Sequence, residues 1–320
     1  MFLSSFVSFP GLGIDPFEMN SVAFSIFGLD IAWYGITMTM AILLGCILTA
    51  RLAVKAGYVL DDILDMVLLV IPSAVLGARL YYVLFSDMHI GGIGDLLAIH
   101  RGGLAIYGGV IGGLIAGISV AKYKKMRIAR FADQAGPAML LGMIIGRLGN
   151  FINVEAYGYE TDLPWRMGIG RVADNMRYVH PTFLYEMILS GIGLVLILFM
   201  YKKKKFDGQI FLMYIGWYGL GRSLIEQLRA DSLTQGSLRV SALLGAASFA
   251  LATGYIIWRL IAKGKSEDLE EQCYYPGSKR YVEGKDKTDR IDEKEKSELP
   301  KESAVADFDT IESDESDDAE

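Results

Sequence analysis

Seven stretches of the chain, at roughly 32–54, 63–86, 103–122, 131–150, 181–201, 208–228 and 239–262, carry long apolar runs. Each approaches the length of about 20 mainly apolar residues that a helix needs to cross a bilayer. The second and fourth are the least clean. Basic groups fall between them: Arg51 and Lys55 after the first, Lys122 to Arg130 after the third, Lys202 to Lys205 after the fifth, and Arg259, Lys263 and Lys265 at the end of the seventh. Short loops rich in Lys and Arg stay on the cytoplasmic side. All four groups agree on one topology, with the N-terminus outside, the C-terminus cytoplasmic, and the loops 87–102 and 151–180 facing outward. The pattern predicts an all-α integral membrane protein of about seven transmembrane helices with a small external loop domain.

Composition supports this reading, since 52% hydrophobic residues and a mean hydropathy of +0.34 over 320 residues exclude an ordinary soluble domain. The formal charge of −6 hides an asymmetry. Residues 264–320 hold nine Lys/Arg against 20 Asp/Glu, which leaves 22 against 17 for residues 1–263. The expected division is a membrane catalytic domain over 1–265, including the external loop region 151–180, and an acidic cytoplasmic tail over 266–320 with too few apolar residues to fold alone. Met1 to Phe9 is apolar but lacks the basic start and small-residue cleavage site of a signal peptide, so it is kept in the mature protein. Cys46 and Cys273 offer neither a disulfide framework nor a metal site. No His/Cys/Asp/Glu set has ligand spacing, so no metal or cofactor is expected, and no nucleic-acid partner.

Ionisable groups inside apolar spans are expensive and tend to face a bundle interior or a watery cavity. Arg79 lies in the second span and Arg147 at the end of the fourth. Tyr218, Arg222 and Glu226 recur every four residues in the sixth, with Arg229 three further on, on one helical face. Such a stripe beside Gly216, Gly219 and Gly221 lines a cavity, or else is an internal ion pair with Arg229 snorkelling to the headgroups. The third span opens with Gly102 and Gly103, where a helix N-terminus favours a phosphate. Ala105, Gly109, Gly113 and Gly117 then form a small-residue packing ridge. His180 and Pro181 begin the fifth span, and a lone His there serves as an interfacial anchor or as a base.

Between Gly146 and Gly158 the chain reads Gly-Arg-Leu-Gly-Asn-Phe-Ile-Asn-Val-Glu-Ala-Tyr-Gly, holding one Arg, two Asn and one Glu between glycines where the fourth span meets the outer loop. A guanidinium grips phosphate in two-point fashion, and amides bind glycerol or ester oxygens. A transporter or channel for an anionic solute or lipid would use the same charges, and a polar helix end followed by a loop would look similar.

The segment closely resembles the signature of the bacterial phosphatidylglycerol–prolipoprotein diacylglyceryl transferases, G-R-x-G-N-F-x-N-x-E-x-x-G, with every fixed position filled. The likeness extends to Trp33-Tyr34-Gly35, Gly77-Ala78-Arg79, the Gly-Gly-Leu-Ala-Ile-Tyr-Gly-Gly run from Gly102, His180-Pro181 with Leu184-Tyr185-Glu186, and the Tyr218/Arg222/Glu226 stripe. It implies a seven-helix enzyme of the bacterial plasma membrane, working toward the outer leaflet. That enzyme moves diacylglycerol from phosphatidylglycerol to the lipobox cysteine of prolipoprotein signal peptides. Tyr107 departs from some members, which carry there a His considered a catalytic base; that position supplies no such base here.

The implied reaction forms a thioether and releases glycerol phosphate. It needs a thiolate from a thiol of pKa about 8.5 and stabilisation of the departing phosphate. Arg147 is the first choice for the phosphate and Arg222 the second, with the Gly102 and Gly103 amides in support. Asn150, Asn153 and Glu155 would orient the headgroup or peptide, and Gly158, Tyr107 and Arg79 complete the implied binding set. The thiol proton has four candidate acceptors, Glu226, Glu155, His180 and Tyr34.

Overall fold

The computed structural model describes residues 5–86, 103–230, 234–235 and 238–263. Seven helices run through them: α1 Trp33–Lys55, α2 Leu60–Phe85, α3 Ile106–Tyr123, α4 Ile128–Ile152, α5 Thr182–Tyr201, α6 Gln209–Ile225 and α7 Val240–Lys263. Six are long and apolar enough to cross a membrane; the exception is α6, at 17 residues. Its predicted extent to 228 is cut short because residues Glu226–Leu228 tighten into a 3-10 turn. Large apolar side chains such as Leu68, Phe199 and Leu251 stand exposed along the helices, as lipid-facing positions do.

Polar contacts gather the predicted basic loops at one end of the bundle. Lys124 Nζ reaches Asp62 and Asp65, each at 2.6 Å, and those bonds hold the ammonium above its ordinary pKa. Tyr58 Oη donates to the Arg127 carbonyl at 3.2 Å. Arg130 Nε pairs with Asp207 at 3.0 Å and Lys204 Nζ with Asp133 at 3.0 Å. Asp133, fully buried in α4, also accepts the Gly208 and Phe211 amide hydrogens at 2.9 and 3.0 Å. It thereby caps α6 from another helix, satisfying amides that no residue inside α6 can reach.

α2 and α3 form a hairpin that packs internally far more than against the rest. Its tight face is not the predicted ridge but the neighbouring one. A Cβ on Gly77 would come within 2.5 Å of the Gly108 carbonyl oxygen, and one on Gly112 would strike the Ser73 carbonyl, whereas Gly109, Gly113 and Gly117 make ordinary contacts with Ala74 and Val70. Close backbone approach is what small residues permit in an apolar solvent.

At the end opposite the basic loops sits a β cap that an all-helical reading did not foresee. Strands β1 Ser5–Phe9, β2 Ile14–Met19, β5 Met167–Val172 and β6 Asn175–Val179 form an antiparallel sheet in the order β2-β1-β5-β6. A hairpin of β3 Val22–Ile26 and β4 Leu29–Ala32 leads straight into α1, and a short pair, β7 Thr234–Gln235 and β8 Leu238–Arg239, precedes α7. Val7, Met167, Ile169, Val179 and Phe183 make the buried core joining sheet to α5. The apolar run near the N-terminus is thus a strand whose partner β5 lies some 160 residues away in the chain.

Candidate active site

The Gly146–Gly158 segment owes its shape to the way α4 ends. Val154 N–H bonds the Phe151 carbonyl and Glu155 N–H the Asn150 carbonyl, both at 3.0 Å, the pattern of a Schellman cap. That cap needs a left-handed residue, normally Gly, and here Val154 takes it with φ +52°, followed by Ala156 at +55°. A β-branched residue at positive φ stores of order 1–3 kcal/mol, the kind of strain that collects at functional sites. The cap folds Glu155 back over the helix end, where Asn150 Nδ2 donates to its Oε1 at 2.7 Å.

From Asn150 the bonding continues inward. Arg147 Nη1 donates to Asn150 Oδ1 at 3.2 Å, and Arg147 Nη2 pairs with Glu186 of α5. Glu186, 7% exposed, also pairs with Arg229 at 3.0 Å and Arg222 at 3.7 Å. Arg222 binds Glu226 at 2.7 Å, and Arg239, the last residue of β8, donates to the Glu226 carbonyl at 2.9 Å. Three guanidiniums therefore converge on one buried carboxylate. Over the network as a whole the guanidiniums of Arg147, Arg222, Arg229 and Arg239 stand against the carboxylates of Glu155, Glu186 and Glu226, and the surplus positive charge suits an anion. Within the Tyr218/Arg222/Glu226 stripe, Arg222 and Glu226 pair, while Tyr218 stacks on Tyr214. Arg229 is buried and ion-paired rather than snorkelling.

Gly158 locks the far end of the segment. Its N–H donates to the His180 carbonyl and Tyr159 N–H to the Leu228 carbonyl, both at 2.9 Å. A Cβ at 158 would drive into the Leu228 carbonyl oxygen and reach His180 Cβ at 2.8 Å. Thr182 Oγ1 adds a 2.5 Å bond to the Ala156 carbonyl. On the other side Tyr34 lies against Gly149, where a Cβ would meet its ring at 2.9 Å. Asn153 caps α4 through its N–H to the Gly149 carbonyl at 3.0 Å.

The structure thus joins Arg147, Asn150, Glu155, Arg222 and Glu226 in one network and sets Tyr34, Asn153, Gly158 and His180 on its border. Arg79, Gly103 and Tyr107 form a second group at the head of the α2–α3 hairpin. There Arg79, 2% exposed, donates to the Gly103 carbonyl at 3.1 Å, and Tyr107 packs near Tyr81. Gly103 lies three residues ahead of α3 in a left-handed turn, so it stands off the helix N-terminus expected of it. Gly102 falls outside the described residues. Glu186, the centre of the network, was visible in the sequence only as part of Leu184-Tyr185-Glu186.

Two voids flank α5. One, of about 20 Å³ between Leu140, Glu186, Trp217 and Arg222, has room for a single water. The other, of about 540 Å³, is lined by Leu163, Trp165, His180, Leu184, Ile188 and Leu228. Among the described residues no group of three or more His, Cys, Asp or Glu side chains has metal-binding geometry.

Comparison with known proteins bears on the same residues. Residues 21–258 match the profile of the prolipoprotein diacylglyceryl transferase family. The chain is 45% identical over 231 residues to a phosphatidylglycerol–prolipoprotein diacylglyceryl transferase of Finegoldia magna, covering 72% of this chain and 91% of that one. The relative of the same name in Clostridioides difficile is 44% identical over 225 residues (70% and 88%), and that of Listeria welshimeri 33% over 270 residues (82% and 97%). With six apolar helices of spanning length and a match across most of the membrane body, this multi-pass membrane protein belongs to the prolipoprotein diacylglyceryl transferase family.

Proposed function

We infer that the protein transfers the diacylglyceryl group of phosphatidylglycerol to the lipobox cysteine of prolipoproteins at the outer leaflet of the bacterial plasma membrane. The observation that carries this reading is the convergence of Arg147, Arg222 and Arg229 on Glu186 within a chain of the transferase family. Orientation follows from the basic loops: the N-terminus and β cap face outward, α6 completes a seven-helix body, and residues 266–320 extend into the cytoplasm.

The cysteine sulfur attacks the diacylglycerol carbon that bears the phosphate. A C–S bond forms as the C–O bond breaks, glycerol phosphate leaves with the electron pair, and the thiol proton passes to a base. Arg147 and Arg222 receive the departing phosphate, because preorganised donors stabilise charge where it develops. Their present partner Glu186 is a carboxylate, so an incoming phosphate competes with it for the same guanidinium N–H groups. Asn150, Glu155 and Asn153 orient the glycerol headgroup or the peptide at the outer edge. Arg79, Gly103 and Tyr107 form a second contact surface for lipid. Glu226, Glu155, His180 and Tyr34 are the candidate acceptors for that proton, of which one is needed. A transporter would leave the phosphatidylglycerol bonds intact.

Purified protein mixed with phosphatidylglycerol and a lipobox peptide is expected to add a diacylglyceryl mass to the cysteine and release glycerol phosphate. No such product, where an authentic transferase works, would refute the assignment.

A further inference from the structure

One run of polar side chains borders the arginine network without an ion pair to it among the described residues. Trp165 Nε1 donates to Tyr185 Oη at 2.7 Å, and Tyr185 Oη lies 3.3 Å from His180 Nδ1. The direction of this chain follows from what each group is able to give. An indole nitrogen only donates, so the tyrosine oxygen is the acceptor in the first bond. Tyr185 keeps one hydroxyl proton, and among the described residues His180 Nδ1 is the acceptor within its reach. Donation to Nδ1 satisfies all three groups. The reverse, with Nδ1–H donating to Tyr185, strands the hydroxyl proton of a half-buried tyrosine, at the cost of a lost hydrogen bond.

We propose that the Trp165–Tyr185–His180 chain fixes His180 as the neutral Nε2–H tautomer, so that the imidazole meets substrate as a hydrogen-bond donor and takes no thiol proton. This rests on the transferase reading above and refines it. Trp165 and Tyr185 are positioning residues that act through His180. The thiol proton then falls to Glu226, Glu155 or Tyr34.

The setting agrees. The His180 main chain is pinned on both sides, its N–H donating to the Tyr159 carbonyl at 3.0 Å and its carbonyl accepting from Gly158 and Thr182 at 2.9 Å each. The backbone therefore cannot re-aim the ring. Burial lowers the His180 pKa, which keeps the imidazole neutral and makes its tautomer the relevant property. The ring lines the 540 Å³ void among Leu163, Leu184, Ile188 and Leu228, apolar surroundings in which a fixed donor orients one oxygen of a bound molecule.

The test is nitrogen NMR on full-length protein carrying ¹⁵N-histidine, with the His180 signals assigned by their loss in His180→Gln. The expected spectrum shows an unprotonated Nδ1 and a protonated Nε2, and in Tyr185→Phe the signals move toward the Nδ1–H form. Trp165→Phe, a milder change, is expected to shift them in the same direction and serves if Tyr185→Phe does not fold. A protonated Nδ1 in the unsubstituted protein, or a tautomer indifferent to both substitutions, would overturn the proposal. The spectrum is read without substrate, so its failure leaves the transferase reading standing, whereas a missing product in the transfer assay bears on that reading alone.

Discussion

Arg147 and Glu186 answer substitution in different ways. Arg147→Ala removes the guanidinium proposed to receive the departing phosphate and is expected to lower the transfer rate roughly 10²- to 10³-fold, the loss seen when one preorganised donor is deleted. The variant should still insert and fold, because Glu186 keeps Arg222 and Arg229. Glu186→Gln instead removes the carboxylate on which Arg147, Arg222 and Arg229 converge. It is expected to destabilise the protein by about 3 kcal/mol, the low end for a broken buried pair because Arg147 and Arg222 are about a fifth exposed, and thermal unfolding in detergent will measure it. His180 gives a pH signature. Its folded pKa lies below the ordinary value of 6.5, so below that value the unfolded chain binds the proton more readily and stability falls as pH falls. His180→Gln should flatten that part of the stability profile, as unfolding midpoints between pH 7 and 5 will reveal. Arg147, Asn150 and Glu155 were legible because they crowd into thirteen residues. Glu186 lies 39 positions from Arg147, and no periodicity links the two. The signal was there: it is the sole charged side chain in Thr182–Tyr201, as anomalous in hydrocarbon as an arginine.

Helices α1 to α7 were legible to within a few residues, since hydropathy over 20 positions is a strong signal. The corrections come from polar ends. α2 starts at Leu60 because Asp61, Asp62 and Asp65 sit in its polar opening turns, the last two paired with Lys124, and α6 stops at Ile225 where Glu226 turns toward Arg222. The packing face of α3 was misjudged by one position, because a run as rich in glycine as Gly108-Gly109 and Gly112-Gly113 offers two ridges and sequence alone does not choose. Gly108→Val is expected to force α2 and α3 apart against the Gly77 carbonyl and cost about 1–3 kcal/mol or more, readable as a lower unfolding temperature. Gly109→Ala, with room against Ala74 and Ala78, should be near neutral and is the control. The β cap escaped notice for another reason. Strand β1 is five residues long, and what defines it is pairing with β5 across most of the chain, a contact local patterning does not encode.

At the scale of the molecule, the family match ends at residue 258 and the acidic stretch lies beyond it. Removing residues 266–320 is therefore expected to leave transfer within about twofold of the full chain, since the family match does not reach them and their composition is that of a charge run. Matched transfer assays on the two proteins will decide. That the basic loops share one end of the bundle was legible in their spacing, and the contacts of Lys124, Arg130 and Lys204 bear it out. What no linear reading supplied was the assembly of the site from the far ends of α4, α5 and α6, closed by Arg239 at the mouth of α7. That closure has a consequence for how the enzyme comes into being. α6 meets α7 through the mutual close approach of Gly219 and Gly245, and Arg239 reaches Glu226 only when α7 is in place. A nascent chain that has inserted α1 to α6 holds Arg147 and Arg222 already, yet its network lacks the Arg239 clasp until α7 has followed. The candidate site is thus completed late in the protein's own insertion, after the helices that carry most of it are already in the membrane.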